Sequence, residues 1–438
     1  MKLLRTVGRG KARADEMIRS LEQRGAFNAA RVEKTVTAIV TDVRKRGDAA
    51  LRKYAVKLDG LKRGAELLVS REEMKEAWEA TPPELQRAMI NAQGHIRAFA
   101  VMQRLKGWTY PPGPAGKDAI HRPPHHLHLM LGQIVRPLES VGCYVPGGRY
   151  PLPSTLLMTV TPAQVAGVER IVVCSPKPAR ETLAAAWIAG VGTRGRRPEF
   201  YRVGGAQAIA ALAYGTGSVA RVNKIVGPGN LFVTAAKVLV SRDCGIDMPA
   251  GPTEIVVTSE KGDAAGIAAD LVAQAEHDPE ALAVMITSNS ALAEAVKAEV
   301  MKQAGGNEIA EQSIAAQGCI FVTESVAEAR ELTNRLAPEH LTVDSKSDLK
   351  WVKNAGSVFI GDYSPQAMGD YISGPNHVLP TGRVGRVRGG LSVMDFVKVI
   401  TVQRYSRKLL RAWGPDAIAL AEAEGLMGHA ESVRVRMR

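Results

Sequence analysis

The side chains best suited to moving a proton near neutrality, or to holding a metal, are nine histidines: His95, His121, His125, His126, His128, His277, His340, His377 and His429. Four of them crowd into HRPPHHLH, where strand-like alternation sends His126 and His128 to one face and His125 to the other. No acidic partner lies within that cluster, so a surface or structural role is expected there. Gln274 and His277, in DLVAQAEHDPE, stand three apart at the end of a predicted helix and so face one way. That geometry can serve a metal, although Gln is a weaker zinc ligand than His or Asp and an ordinary polar helix end looks the same. Glu339 and His340, in LAPEHLTVD, are adjacent bases where proline has ended a helix and a strand begins. Such a junction lies at a sheet edge, and ligands bind there if it is the carboxyl edge. Asp362, Asp370 and His377 belong to GDYSPQAMGDYISGPNHVLPTG, a long Gly- and Pro-rich stretch dense in ionisable groups, of the kind that commonly carries function. Glu424 and His429, in the last predicted helix, read as solvated when taken alone.

Nucleotide-binding signatures are sparse. Neither a Walker A loop nor an HExxH helix is present. GTGSVA at 215–220 fits GxGxxA formally, but it follows the helical AQAIAALAY rather than a strand and lacks the acidic residue some twenty positions on, so it reads as a helix C-terminal turn. GPGN at 227–230 follows the strand-like KIV, and a turn of that composition either brings backbone close to a ligand or is simply tight.

The elements that must position these residues change character along the chain. Up to about residue 105, apolar residues three and four apart in ADEMIRSLEQRG, VEKTVTAIVTDVRKRG and PELQRAMI predict helices. TYPPGPAGKDAIHRPPHHLHLMLGQ reads as a loop leading into a strand. From Gly142 short apolar runs (RIVVCSP, KIVG, EIVVTSE, ALAVMITS, CIFVTES, SVFIGD) alternate with helical segments, which argues for parallel α/β layers. A helix from about Ser325 to Leu336 has Ser325 and Glu328 at capping-box spacing and Pro338 as its stop. Beyond Gly390, LSVMDFVKVI and GPDAIALAEAEGLMGHA are expected to be helical again.

Bulk properties narrow the function classes. A chain of 438 residues calls for two major domains. No apolar stretch approaches the roughly 18 residues that cross a bilayer, and the N-terminus has no signal-peptide core, so a cytoplasmic, membrane-free protein is expected. The four cysteines, Cys143, Cys174, Cys244 and Cys319, form no CxxC pair and read as buried free thiols. The net charge of +13 comes with dispersed lysines and arginines and only 5% aromatic residues, a poor composition for base stacking. The basic runs, including RGRR at 194–197 and GRVGRVRGG at 382–390, read as solvated surface rather than a nucleic-acid interface.

Taken together, VGCYVPGGRYPLPSTLLM, VGGAQAIAALAYGT, KIVGPGN, DMPAGPTE, QAEHDPE, NRLAPEHL, GDYISGPNHVLPT and AEAEGLMGHA resemble the histidinol dehydrogenase family, collinearly from about Leu138 to the end. The resemblance implies an α/β fold of two incomplete Rossmann-like domains with small helical terminal segments, in an intertwined homodimer. The implied boundaries are 1–30 for an N-terminal helical segment, 31–143 with 253–390 for a discontinuous catalytic domain, 144–252 for an NAD-contacting domain, and 391–438 for a C-terminal helical segment reaching the partner. It further implies that Gln274, His277, Asp370 and His429 ligate Zn2+, the last from the partner subunit. Glu339 and His340 match the catalytic pair, Tyr144, Gln207 and Asn230 the NAD contacts, and His377 and Glu424 substrate-holding residues. Thr253 stands at a substrate-side position where the family usually has Ser, and Arg and Gly in GRVRGG replace a serine-rich sequence.

The implied reaction is oxidation of histidinol through a bound aldehyde to histidine with two NAD, the last step of histidine biosynthesis. Two alternatives are a zinc- and NAD-dependent paralogue acting on another polar alcohol such as a sulfonated propanediol, and an inactive, basic nucleic-acid-binding homologue. Glu424 disfavours the first, because a carboxylate suits an amino group and repels a sulfonate. The retained ligand and base set disfavours the second.

Overall fold

The computed structural model of the chain describes residues 1–24, 31–110, 130–147, 150–191 and 199–438. These form two compact units, one of residues 1–103 and 138–396, the other of residues 104–137 and 397–438. The His121–His128 cluster and the 194–197 basic run lie outside the described residues.

The first unit is built on two parallel sheets. In one, the strands Glu199–Tyr201, Arg170–Cys174, Ser140–Tyr144, Lys224–Val226 and Gly245–Ile246 lie side by side in that order. Numbered along the chain this is 3-2-1-4-5, so the order reverses between Ser140–Tyr144 and Lys224–Val226. Its short β-branched runs are buried on both faces, as a parallel sheet requires. Alternation sends Val172, Cys174 and Ile225 into one core and Val141, Cys143, Val173 and Val226 into the other. The first core is closed by the helices Glu33–Arg46 and Asp48–Leu58, through Val36, Val40 and Leu51, together with Gly205–Tyr214 and Leu231–Val240. The second takes Met74 and Ile96 from Arg71–Glu79 and Pro83–Met102. Residues 33–102 thus cover this sheet, whereas the sequence reading grouped 31–143 with 253–390. Amphipathic periodicity shows that a helix has a buried face, not which sheet receives it.

The second sheet has the order Lys2–Arg5, Cys319–Val322, Leu282–Thr287, Glu254–Thr258, His340–Val343, Ser357–Ile360, all parallel. Its last five strands repeat the 3-2-1-4-5 order. Ile255, Val257 and Met285 pack against Ile267 and Leu271 of the helix Ala264–Ala275 on one face. Val256, Val284 and Phe321 meet Leu332 and Leu336 on the other. The expected helical segment over 1–30 therefore begins with a strand. KLLR is too short to show a period of two, and it is held by pairing with Cys319–Val322. The helix Val326–Leu336 is capped as its spacing predicts, Glu328 N–H donating to Ser325 Oγ at 3.2 Å. The reciprocal half of the box is not closed: Glu328 Oε2 accepts instead from Glu324 N–H and Thr6 Oγ1.

In the second unit, Val397–Arg404 pairs antiparallel with Met130–Pro137, which also pairs with Trp108–Tyr110. The helices Arg407–Ala423 and Met427–Met437 follow. The expectation that residues 391–438 are helical throughout fails at VKVITVQR, whose β-branched alternation makes a ladder strand. The added charge at Arg388 is used within the first unit, where its guanidinium donates to both carboxylate oxygens of Asp395 at 2.9 and 3.0 Å.

Candidate active site

The bases of the sequence meet at the amino edge of the six-stranded sheet. His340 opens the strand His340–Val343 beside Glu254–Thr258, where the strand order reverses. The conditional expectation of a carboxyl edge is thus not met. His340 Nδ1–H donates to the Glu254 carbonyl at 3.1 Å, which fixes the ring and leaves Nε2 facing Asp370 Oδ1 at 3.6 Å. Glu339 Oε2 accepts from Thr253 Oγ1–H at 2.7 Å and Glu254 N–H at 2.8 Å, leaving Oε1 for another partner. Gln274 Nε2 donates to the same Thr253 oxygen. Thr253, expected beside the substrate, is therefore the hydroxyl that joins Gln274 to Glu339.

Both bases are buried, at 6% exposure for Glu339 and 3% for His340. Burial pushes the Glu339 carboxyl up to about 7, against the opposing charge of His340 and the Thr253 hydrogen bond. For His340 burial works downward, but the Glu339 and Asp370 carboxylates outweigh it and carry the imidazole up to about 9. Asp370 lies on the short helix Gln366–Tyr371 and accepts from Gln366 Nε2 at 2.8 Å. Burial raises its carboxyl, yet His340, His377 and His277 together hold it below the usual range. His377 donates from Nδ1 to the Asp370 carbonyl at 2.8 Å, and Thr155 Oγ1 donates to its Nε2 at 3.1 Å; burial lowers the pKa of the ring. His340, Asp370, Phe359 and His377 line a pocket of about 380 Å³.

Gln274 and His277 do not share a helical face. The helix ends at Ala275, ahead of the turn at Asp278 and Pro279, so Gln274 is fully buried while His277 is exposed beyond the cap. Gln274 Oε1 has no hydrogen-bond partner. A buried amide oxygen left bare in this way is a fit for a cation ligand. Among the described residues no three His, Cys, Asp or Glu side chains form a metal cage. Glu424 and His429 belong to the second unit, where both are exposed.

Tyr144, Gln207 and Asn230 line one cleft of about 780 Å³ at the carboxyl ends of Ser140–Tyr144 and Lys224–Val226. This is the reversal point of the five-stranded sheet, where open α/β sheets bind ligands. Asn230 caps the helix Leu231–Val240, its Oδ1 accepting from the Phe232 and Val233 amides at 3.1 and 3.2 Å. GTGSVA is, as expected, the turn after the helix Gly205–Tyr214. Gln207 Oε1 is buried and unpartnered, and a Cβ at Gly205 would stand 2.7 Å from it, so the glycine keeps that oxygen clear. An open acceptor in a cleft at this edge fits a dinucleotide.

Sequence reasoning missed the residues that brace these sites. Lys237 and Asp247 form a fully buried ion pair gripping Gly227: Lys237 Nζ donates to its carbonyl at 2.9 Å, and its amide donates to Asp247 at 2.8 Å. The pair sets the GPGN turn that presents Asn230. A lysine in the apolar helix LFVTAAKVLV was the available signal. Thr155 and Asp59 were likewise silent, since their roles depend on contacts remote in sequence.

Comparison with known proteins agrees over nearly the whole chain. Residues 22–437 match the family described as histidinol dehydrogenase. The chain is 44% identical over 434 residues to the histidinol dehydrogenase of Methanothermobacter thermautotrophicus, covering 96% of this chain and 97% of that one. It is 43% identical over 412 residues to that of Bacillus subtilis, covering 92% and 93% respectively. The crystal structure of histidinol dehydrogenase from Elizabethkingia anophelis superposes with a TM-score of 0.88 at 30% identity, covering 100% of this chain and 98% of that one. The cluster of Glu339, His340, Thr253, Gln274 and Asp370 accordingly sits in an oxidoreductase scaffold, and the chain belongs to the histidinol dehydrogenase family.

Proposed function

We propose that the protein oxidises histidinol to histidine in two successive hydride transfers to NAD, with one zinc held by Gln274, His277, Asp370 and the partner subunit's His429 in an intertwined homodimer. The two 3-2-1-4-5 sheets support reading the fold as two incomplete Rossmann-like domains. The observation that carries the proposal is the single hydrogen-bonded chain from Gln274 through Thr253 to Glu339, beside a His340 whose free nitrogen is aimed at Asp370. It couples the bare Gln274 oxygen to Glu339, with His340 alongside.

When bound, zinc supplies a Lewis acid that orients and polarises the substrate oxygen, and NAD accepts the hydride. His340 is the base: with Nδ1–H tied to the Glu254 carbonyl, Nε2 takes the hydroxyl proton as each hydride departs. Between the oxidations the aldehyde must gain water. Glu339 is placed for this step, with Oε2 anchored by Thr253 and Glu254 and Oε1 left to draw the proton from water. A thiol route is not open, because Cys143, Cys174, Cys244 and Cys319 are all buried and burial raises every one of their pKa values. Glu424 would receive the substrate ammonium, which favours histidinol over a sulfonated diol. The composition and the absence of a helix among the described residues long and apolar enough to span a membrane accord with a cytoplasmic enzyme.

The test is NADH formation by zinc-replete protein given histidinol, with a sulfonated diol in parallel. Histidinol should reduce NAD and the sulfonated diol should not. The reverse pattern, or no NADH from histidinol, would overturn the proposal.

A further inference from the structure

Asp59 lies just beyond the helix Asp48–Leu58, 7% exposed, on the wall of the cleft that holds Tyr144, Gln207 and Asn230. One of its carboxylate oxygens, Oδ2, accepts two hydrogen bonds, from Gly204 N–H at 3.0 Å and from Gln207 Nε2 at 3.0 Å. The second bond decides which way the Gln207 amide points. A primary amide can present a donor or an acceptor by a half-turn of its last torsion, and the two faces recognise opposite chemistry. With Nε2 committed to Asp59, Oε1 is the atom turned elsewhere, and it is buried without a partner. Leaving a buried acceptor bare costs stability, so a persistent one points to a ligand that satisfies it. Gly205 has φ +60°, and any side chain there would crowd Oε1, so the backbone is also shaped to keep the oxygen open. The Gly205 amide is in turn fixed by donating to the Tyr144 hydroxyl at 3.1 Å, which leaves the tyrosine its own proton to offer.

We propose that Asp59 is a positioning residue of the cofactor cleft: it locks the Gln207 amide so that Oε1 is displayed as an acceptor for a hydroxyl or amino hydrogen of the bound dinucleotide. The inference rests on the reading of this cleft as the NAD site. The Gly204 N–H bond seats the carboxylate and the Gln207 bond carries its influence on the cofactor, so the effect of Asp59 on NAD binding must vanish when Gln207 is already gone. It must also fall on cofactor binding rather than on the chemistry at Glu339 and His340.

The experiment is a calorimetric titration of NAD into the full-length protein and its Asp59→Ala, Asp59→Asn, Gln207→Ala and Asp59→Ala/Gln207→Ala variants, with steady-state kinetics alongside. Asp59→Ala is expected to weaken NAD binding about tenfold, the scale of one lost hydrogen bond to a polar ligand. The histidinol KM and the kcat at saturating NAD should stay within about twofold, since neither depends on the contact in this account. Asp59→Asn keeps an acceptor oxygen and should restore most of the affinity. The double variant should bind no worse than Gln207→Ala alone, the non-additivity of residues acting through one contact. If Asp59→Ala does not fold, Asp59→Ser, too short to reach Gln207 but still polar, gives the same reading. Unchanged NAD affinity in a folded Asp59 variant, additive losses in the double variant, or failure of Asp59→Asn to restore binding would each overturn the proposal while leaving the cofactor reading intact. No binding of NAD by the wild-type protein would overturn both.

Discussion

At the scale of single residues, the proposed catalytic pair and its orienting partners have different origins in the sequence. Glu339 and His340 are adjacent, so their juxtaposition is local and legible. What orients them is not. Thr253 lies 86 positions from Glu339 and 21 from Gln274, and only the fold shows that one hydroxyl serves both. The Glu254 carbonyl that sets the His340 ring is a backbone atom, invisible to any reading of side-chain types. Replacing His340 by Asn removes the base and keeps an N–H donor for the Glu254 carbonyl. It should lower kcat by about 10² to 10⁴-fold, the usual worth of a general base. NAD affinity, measured by titration, should be unchanged, because the proposed cofactor cleft is lined by other residues. A loss of NAD affinity comparable to the loss of kcat would contradict the assignment.

At the scale of elements, alternating β-branched runs and amphipathic periods revealed the parallel layers of residues 140–360, because each strand and helix there has its own strong pattern. The strand Lys2–Arg5 is not legible, being too short to carry one, and Val397–Arg404 is a strand where the sequence predicts helix, despite its β-branched alternation. The GPGN turn was seen, but not the ion pair that holds it. Lys237→Met would leave the buried Asp247 without its counterion, a change that costs about 3–5 kcal/mol. Thermal melting should move down by several degrees, and NAD should bind more weakly as the turn loosens; an unchanged melting curve would show that the pair does not brace the turn. Asp270, on the helix Ala264–Ala275, makes a second test. Burial raises its carboxyl from 3.8 to about 6, although it accepts from the Gln366 amide at the head of the helix carrying Asp370. A carboxyl whose folded-state pKa is raised favours folding when protonated, so its contribution falls as pH rises from about 4 through about 6 and stays low above that. Asp270→Asn should therefore raise the melting temperature at pH 8, with the gain shrinking toward pH 5. A gain that is constant or larger at pH 5 would contradict this.

For the whole molecule, the resemblance carried more than the residues did. Taken singly, Gln274, His277, Asp370 and His429 each had an ordinary explanation, and the monomer leaves two features unresolved: the bare oxygen of Gln274, and Glu424 and His429 exposed in a separate unit. The proposed zinc site, shared between subunits, would account for both. Mixing a His429→Ala variant with a Glu339→Gln variant, each inactive alone, tests this directly. Random exchange of subunits makes half of the dimers mixed, each with one intact site, so about a quarter of wild-type activity should return. If His429 served its own chain, no site in a mixed dimer would be complete and no activity would return.

In the proposed reaction one site carries an alcohol through an aldehyde to an acid, with His340 as the base and Glu339 delivering water. The most direct measurement is the NADH formed per histidinol consumed at limiting substrate, with histidine quantified as the product. Two NADH for each histidine are expected, with no aldehyde released. One NADH per histidinol with free aldehyde in solution would contradict it.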